Sequence, residues 1–150
     1  MNENYVNLIS KDMNKYLSNL NVLYVKLHNY HWNVVGKGFF TLHEKLEEIY
    51  NGVNAEIDVI AERILMIGGK PLGSLREYLS NSTLKESSND DIQSSELVKS
   101  LLSDFELLLD ESKSIYLLAD SSADPVTSSI IENSISNYEK NIWMLKSYLK

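Results

Sequence analysis

Residues 31–71 decide the fold, and their sequence is HWNVVGKGFFTLHEKLEEIYNGVNAEIDVIAERILMIGGKP. Between Gly38 and Gly68, apolar residues recur every three or four positions, which is the spacing of one helix face. The members of this face are Leu42, Leu46, Ile49, Val53, Ile57, Ile60, Ile64 and Ile67. The pattern predicts a long helix that begins between Gly38 and Thr41, with Thr41-Leu42-His43-Glu44 as a capping box. The glycines at 68 and 69 and Pro71 end it.

Helical periodicity continues on both sides of this stretch. A first helix follows the apolar residues from Val6 to Tyr30 and ends near residues 34–36, and a third spans roughly residues 98–116. The last helix begins at Asp124-Pro125, because an Asp N-cap followed by proline in the first turn is typical of a helix start. The connection of residues 72–95 opens with a segment that is able to form a short helix and continues as a polar loop.

The order of these elements predicts an all-α fold in one domain, residues 1–150. Four long helices with one long middle connection indicate a four-helix bundle, with the short helix between the second and third long helices. The sequence has no strand pattern, no internal repeat and no glycine-rich phosphate loop. It has no cysteine, which excludes disulfides, thiolate metal sites and cysteine nucleophiles.

The composition indicates in which compartment we expect the protein and which partners its charge disfavours. The first residues lack the features of a secretory leader, and no stretch reaches the ~18 apolar residues of a membrane span. We therefore expect a soluble, cytoplasmic protein. The net charge is −7, and no run of Lys or Arg occurs. An acidic surface repels phosphate backbones, which argues against DNA binding.

The second helix carries ionisable residues along one stripe. At about 100° per residue, four of them fall within roughly a quarter-turn. They are His43, Glu47, Asp58 and Glu62. Glu56 and Arg63 fall on the far side of the helix and are poor candidates for the same site. The stripe borders the apolar face, so we expect its side chains to point toward buried surface, where a carboxylate needs a partner or a metal ion.

Imidazole and carboxylate groups together suit iron, manganese or zinc, and the three carboxylates of the stripe suit a pair of divalent ions better than a single one. His31, at the end of the first helix, joins the His43 end of the stripe. Glu47 and Asp58 are ~16 Å apart along a helix, whereas ions that share ligands lie ~4 Å apart. Two antiparallel copies of the helix, related by a two-fold axis, would bring the His43 end of one copy against the Glu62 end of the other. This predicts a site between two chains. The alternative is that each residue is an ordinary solvated or hydrogen-bonded group.

A dinuclear site within a single bundle requires a motif that this chain lacks. Such sites use Glu-x-x-His on the helices that face the bundle interior. The residues three positions before His28, His31 and His43 are Val25, His28 and Phe40. The site of ordinary ferritins is therefore excluded.

The same residues resemble a known family. The segments 31–34 (HWNV), 39–45 (FFTLHEK), 61–63 (AER), 68–71 (GGKP) and 141–144 (NIWM) closely resemble the Dps proteins, the miniferritins also called DNA-binding proteins from starved cells. The resemblance covers nearly the whole chain and implies a ferritin-like bundle, assembled from two-fold dimers into a hollow dodecamer. It also implies a ferroxidase that oxidises Fe(II) with hydrogen peroxide or O2 and stores ferric mineral, which protects against oxidative stress.

The resemblance assigns the ligands of the iron site to two subunits. One subunit supplies His31, His43 and Glu47, and its neighbour supplies Asp58 and Glu62, with zinc or manganese as competing ions. Many members of the family have Asp where this chain has Glu47. The longer side chain keeps the carboxylate but shifts the position at which it meets the ion.

Other residues receive roles by the same resemblance. Trp32 lies beside the site, where it either donates an electron to a strong oxidant or packs in the core. His28, one turn before His31, either supports a ligand or is structural, and is not itself a ligand. Asp120 and Asp124 match the acidic iron-entry pore of the family, although residues 125–129 are less acidic here than usual.

Three functions remain open at this point. The leading one is an iron-storing, peroxide-consuming ferroxidase. The second is a DNA-binding protein that protects the nucleoid and has little ferroxidase activity, against which the negative charge and the lack of a Lys-rich tail argue. The third is a shell that serves as a surface or signalling protein and keeps an idle metal site.

Overall fold

The computed structural model of the protein describes all residues 1–150 and confirms the all-α prediction. In chain order the elements are α1 (Glu3–Asn33), β1 (Val34–Val35), α2 (Phe39–Met66), α3 (Leu75–Asn81), β2 (Ile92–Gln93), α4 (Ser94–Ser121) and α5 (Pro125–Tyr148). The four long helices form the bundle, and α3 is the short helix predicted in the long connection. None of the helices combines the length and the apolar composition that crossing a membrane requires.

The apolar faces of the four long helices meet in one buried core. Helix α1 contributes the most residues to it, and several of its aliphatic side chains have no exposed surface. These are Ile9, Met13, Leu17, Leu20, Leu23 and Leu27. Each such side chain contributes about 1.5–3 kcal/mol by leaving water. The predicted face of α2 is confirmed: its residues are buried except Ile49 and Ile57, which are half-buried.

The two short strands pair the residues just after α1 with the residues just before α4. Val34 and Val35 follow α1 directly and pair in parallel with Ile92 and Gln93, which precede α4. The sequence showed no strand pattern, and the structure corrects this, because two residues are too few to display a period. The pairing fixes the end of the long connection beside the end of α1, where the predicted metal site begins.

The predicted capping box at the start of α2 is wrong. The helix begins at Phe39, and Gly38 occupies the N-cap position with a left-handed φ of +74° and no side-chain cap. The Leu42 N–H already donates to the Gly38 carbonyl at 2.9 Å, so Thr41 lies inside the first turn. A glycine adopts this conformation without the steric cost that other residues meet, which lets the chain turn sharply between α1 and α2.

The other predicted helix start is confirmed. Asp124 caps α5, and its side chain accepts a hydrogen bond from the Thr127 N–H at 3.1 Å. Helix α3 also has a side-chain cap, in which the Ser74 hydroxyl accepts from the Glu77 N–H and donates to the Glu77 carboxylate at 2.7 Å. These caps satisfy N–H groups that have no partner within their own helix.

Candidate metal centre

The turn between α1 and α2 brings His31 and His43 together. Their rings stack with centroids 3.7 Å apart and an interplanar angle of 11°. His31 Nδ1 donates to the His43 carbonyl at 2.6 Å, and His43 Nδ1 donates to the His31 carbonyl at 2.8 Å. A carbonyl oxygen only accepts, so each Nδ1 must carry the hydrogen, and each neutral ring keeps its lone pair on Nε2. This is the orientation that a metal-binding histidine requires.

Glu47 lies one turn after His43 on α2, and its carboxylate has one partner within the chain. The Tyr50 hydroxyl donates to Glu47 Oε1 at 3.1 Å. The Tyr50 ring also meets His31 edge to face, with centroids 5.5 Å apart. Desolvation and the neighbouring Glu47 carboxylate both raise the pKa of the Tyr50 phenol, which therefore remains a hydrogen-bond donor at neutral pH.

Asp58 and Glu62 lie further along α2, and both are exposed. Glu47 is exposed as well, which corrects the expectation that the stripe points toward buried surface. The apolar face of α2 occupies the side that packs on the bundle, and the stripe turns away from it. No three His, Asp or Glu side chains of one chain converge on a metal-binding position. The structure thus brings His31 and His43 together but does not join them to Asp58 and Glu62.

The far side of α2 holds a buried polar network that the sequence pattern did not reveal. Glu56 Oε1 accepts hydrogen bonds from the Tyr16 and Ser134 hydroxyls, each at 2.5 Å. The Tyr16 hydroxyl also lies 2.6 Å from that of Tyr138. Burial raises the pKa of Glu56, although the two hydroxyl donors partly oppose it. The available signal was a glutamate beside the apolar face of α2 and tyrosines within the apolar faces of α1 and α5.

Arg63, the other far-side residue, forms a buried ion pair with Asp124, with 2.8 Å between its guanidinium and Asp124 Oδ1. Tyr5 and Thr127 hydroxyls donate to Asp124 Oδ2 at 2.8 and 2.6 Å. Burial alone would raise the pKa of Asp124, but the hydrogen bonds from Thr127 and Tyr5 and the charge of Arg63 outweigh it and lower the pKa.

Asp124 therefore ties together the start of α1, the end of α2 and the start of α5. Both of its carboxylate oxygens are engaged within the chain, and its role in an iron-entry pore stays a prediction. Asp120, the other predicted pore residue, is exposed near the end of α4. Of the two, only Asp120 has a carboxylate open to solvent.

Trp32 is 70% exposed, which excludes the alternative that it packs in the core of its own bundle. Its ring centroid lies 5.6 Å from that of His28. His28 in turn stacks on Tyr50 at 4.0 Å, and its Nδ1 donates to the Tyr24 carbonyl at 2.9 Å. The predicted structural role of His28 agrees with these contacts, since its ring supports Tyr50.

Known proteins that resemble this chain share its fold family and match it over most of its length. The ferritin-like domain family matches residues 10–150. The chain is 44% identical to general stress protein 20U of Bacillus subtilis (strain 168), over 91% of this chain and 94% of that protein. It is 41% identical to a DNA protection during starvation protein of Brevibacillus brevis, over 95% of each chain.

A solved structure agrees with these sequence matches. The Dps protein of Vibrio cholerae O1, described as a member of a broad superfamily of ferritin-like diiron-carboxylate proteins, superposes with a TM-score of 0.95. The two chains are 35% identical, and the match covers 100% of this chain and 94% of the other. With this fold and these relatives, the chain belongs to the Dps family of ferritin-like proteins.

Proposed function

We propose that the protein is a ferroxidase and iron store. Its substrate is Fe(II), which it oxidises with hydrogen peroxide or O2 at a dinuclear site between two copies of the chain. The ferric product is kept inside a hollow dodecamer built from two-fold dimers. The observation that carries the proposal is the stacked pair of His31 and His43, whose carbonyl-bound Nδ1 atoms leave both Nε2 lone pairs free.

The donor set fits iron. Neutral imidazole nitrogen and carboxylate oxygen are ligands that Fe(II) accepts, and zinc or manganese would compete for the same atoms. Membership of the family adds support, because the Vibrio cholerae Dps protein is described as a ferritin-like diiron-carboxylate protein. In our proposal His31, His43 and Glu47 bind iron from one chain, and Asp58 and Glu62 bind it from the neighbouring chain.

The exposed stripe favours a site that is shared between chains. Glu47 and Asp58 are separated by ~16 Å along α2, so a single straight helix cannot direct both toward one pair of ions. Asp58 and Glu62 have no ion-pair or hydrogen-bond partner within the chain that would compete with a metal ion. A two-fold pairing of α2 would bury the stripe and join its two ends, and each dimer would hold two equivalent sites.

The proposed reaction needs two Fe(II) ions at one site, because each supplies one of the two electrons that hydrogen peroxide accepts. Hydrogen peroxide takes one electron from each of two Fe(II) ions and combines with two hydrogen ions from solution, which yields two Fe(III) ions and two water molecules. Two-electron reduction of peroxide avoids the release of hydroxyl radical. The role of the protein residues is to hold both ions together and to keep the histidine rings in the tautomer that binds metal.

Stopped-flow measurement of Fe(II) oxidation tests the proposal. We expect the variant His31→Ala/Asp58→Ala to oxidise Fe(II) at least about tenfold more slowly than the parent, because both halves of the site lose a ligand. The control variant Asp90→Ala/Asp91→Ala removes two exposed carboxylates from the loop before α4 and should match the parent. Equal rates for all three proteins would refute a ferroxidase role for these residues.

A second function, DNA protection, is favoured by the names of the relatives, including that of Brevibacillus brevis. The net charge of −7 opposes it. A gel shift at low salt, with and without magnesium, separates the two. We expect no retarded DNA in either condition, and retardation in both would make DNA binding the better assignment. Failure of the purified protein to take up iron would instead favour the third function, a shell with an idle metal site.

A further inference from the structure

Tyr50 links the proposed iron ligands to a cluster of aromatic rings on α1. Its hydroxyl donates to Glu47 Oε1 at 3.1 Å, one turn back along α2. Its ring lies edge-on to His31, with centroids 5.5 Å apart, and edge-on to Tyr24, with centroids 6.1 Å apart. A single side chain therefore touches a carboxylate from α2 and an imidazole from α1.

His28 holds the Tyr50 ring in place. The two rings stack with centroids 4.0 Å apart and an interplanar angle of 23°. The His28 ring cannot rotate freely, because its Nδ1 donates to the Tyr24 carbonyl at 2.9 Å and the Tyr24 ring meets it edge to face at 4.6 Å. The direction of the Tyr50 hydroxyl is thus set by contacts with α1, not only by the local geometry of α2.

Glu47 is the ligand that most needs such support. It is exposed, and a glutamate has one more rotatable bond than an aspartate at the same position, so more conformational freedom is lost when it binds. A hydrogen bond on Oε1 restricts the carboxylate and leaves Oε2 free for an ion. Partners that orient a ligand in this way commonly change metal affinity by about 10–100-fold.

We propose that Tyr50 is a positioning residue for the metal-binding carboxylate of Glu47, with its hydroxyl on Oε1 and its ring clamped by His28. The proposal rests on the proposed metal centre and goes beyond it, because Tyr50 is not a ligand. It predicts that the phenol hydroxyl affects metal binding only through Glu47. The ring itself, which packs against His28 and His31, serves a separate structural purpose.

The test uses Co(II), which reports on its ligands through its visible absorption and is not consumed by oxidation. We expect Tyr50→Phe to weaken Co(II) binding about tenfold and to change the absorption band, since the hydroxyl is lost and the ring is kept. Tyr24→Phe is the matched control, because it removes a hydroxyl from the same aromatic cluster that does not bond to Glu47. This control should leave both the affinity and the band as in the parent.

A double-mutant cycle with Glu47→Ala identifies the route of the effect. If Tyr50 acts through Glu47, adding Tyr50→Phe to Glu47→Ala should cause no further loss of Co(II) affinity. The proposal would be overturned if Tyr50→Phe lowered Co(II) affinity equally with and without the Glu47 substitution. It would also be overturned if Tyr50→Phe bound Co(II) as tightly as the parent does. A parent protein that binds no Co(II) would overturn the proposed metal centre as well, which keeps the two failures distinguishable.

Discussion

At the scale of single residues, Glu56 shows how position on a helix determines chemistry. It lies on the same helix as the exposed Glu47 but points toward α1 and α5, where the Tyr16 and Ser134 hydroxyls donate to one of its oxygens. Burial raises its pKa above the ordinary value of 4.5. The unfolded chain therefore loses this proton at a lower pH than the folded chain does, and the glutamate costs the fold stability as the pH rises above 4.5.

We expect Glu56→Gln to remove this cost while its amide oxygen keeps the two hydroxyl donors. The variant should gain stability relative to the parent as the pH is raised from 4.5 toward neutrality, and the two should converge at lower pH. Denaturant unfolding at several pH values measures the difference. Glu132→Gln, an exposed substitution on α5, is the control and should show no such trend. A Glu56→Gln variant whose advantage shrinks with rising pH would contradict the argument.

At the scale of elements, Lys26 and Asp104 connect α1 to α4 by an ion pair of 2.8 Å. The side chains are only 6% and 11% exposed, so both charges have left water. Burial raises the pKa of Asp104, and Lys26 partly reverses the shift. The pair is thus costly to bury, and loss of one partner leaves the other charge without compensation.

We expect Lys26→Met to reduce the free energy of unfolding by about 3–5 kcal/mol, because Asp104 then stays buried and unpaired. The double variant Lys26→Met/Asp104→Leu should recover most of the loss, since two apolar side chains replace two charges. Denaturant titration of the three proteins checks this order. The exposed pair of Lys146 and Glu106 is the comparison, and Lys146→Met should cost about 1 kcal/mol or less. A double variant less stable than Lys26→Met would be inconsistent with the explanation.

At the scale of the whole molecule, the proposed metal centre depends on two chains. A chain with His31→Ala/His43→Ala lacks one half of each site, and a chain with Asp58→Ala/Glu62→Ala lacks the other. When the two kinds of chain meet in a two-fold pair, one of the two sites receives both defects and the other receives none. A site formed within one chain would be defective in every pair.

We therefore expect mixed assemblies of these two inactive variants to regain Fe(II) oxidation. If the chains pair at random, half of the pairs are mixed and about one quarter of all sites are intact. Co-expression with two affinity tags, followed by stopped-flow oxidation and Co(II) stoichiometry, measures the recovery. Mixed assemblies that stay as inactive as either variant alone would show that the ligands do not come from different chains.

The sequence by itself determined the elements and the residue types of the candidate site. Apolar periodicity located all four long helices, and Asp124-Pro125 marked the start of α5, because these signals depend only on neighbouring residues. The spacing on α2 also identified the stripe from His43 to Glu62. The predicted start of α2 between Gly38 and Thr41 is confirmed, but the capping box at Thr41 was wrong, because the left-handed conformation of Gly38 depends on how α1 and α2 meet.

Only the tertiary structure decided where these side chains point and what they contact. It paired His31 with the His43 carbonyl, placed Glu56 beside Ser134, and joined Arg63 to Asp124. Ser134 lies on α5 and Asp124 at its N-cap, each more than 60 residues from its partner in the chain. Helical spacing defines angles around one axis, whereas burial and hydrogen bonding depend on which other helix packs against each side of it. For that reason the sequence located both the apolar face and the stripe of α2 correctly, but the expectation that the stripe points toward buried surface was wrong.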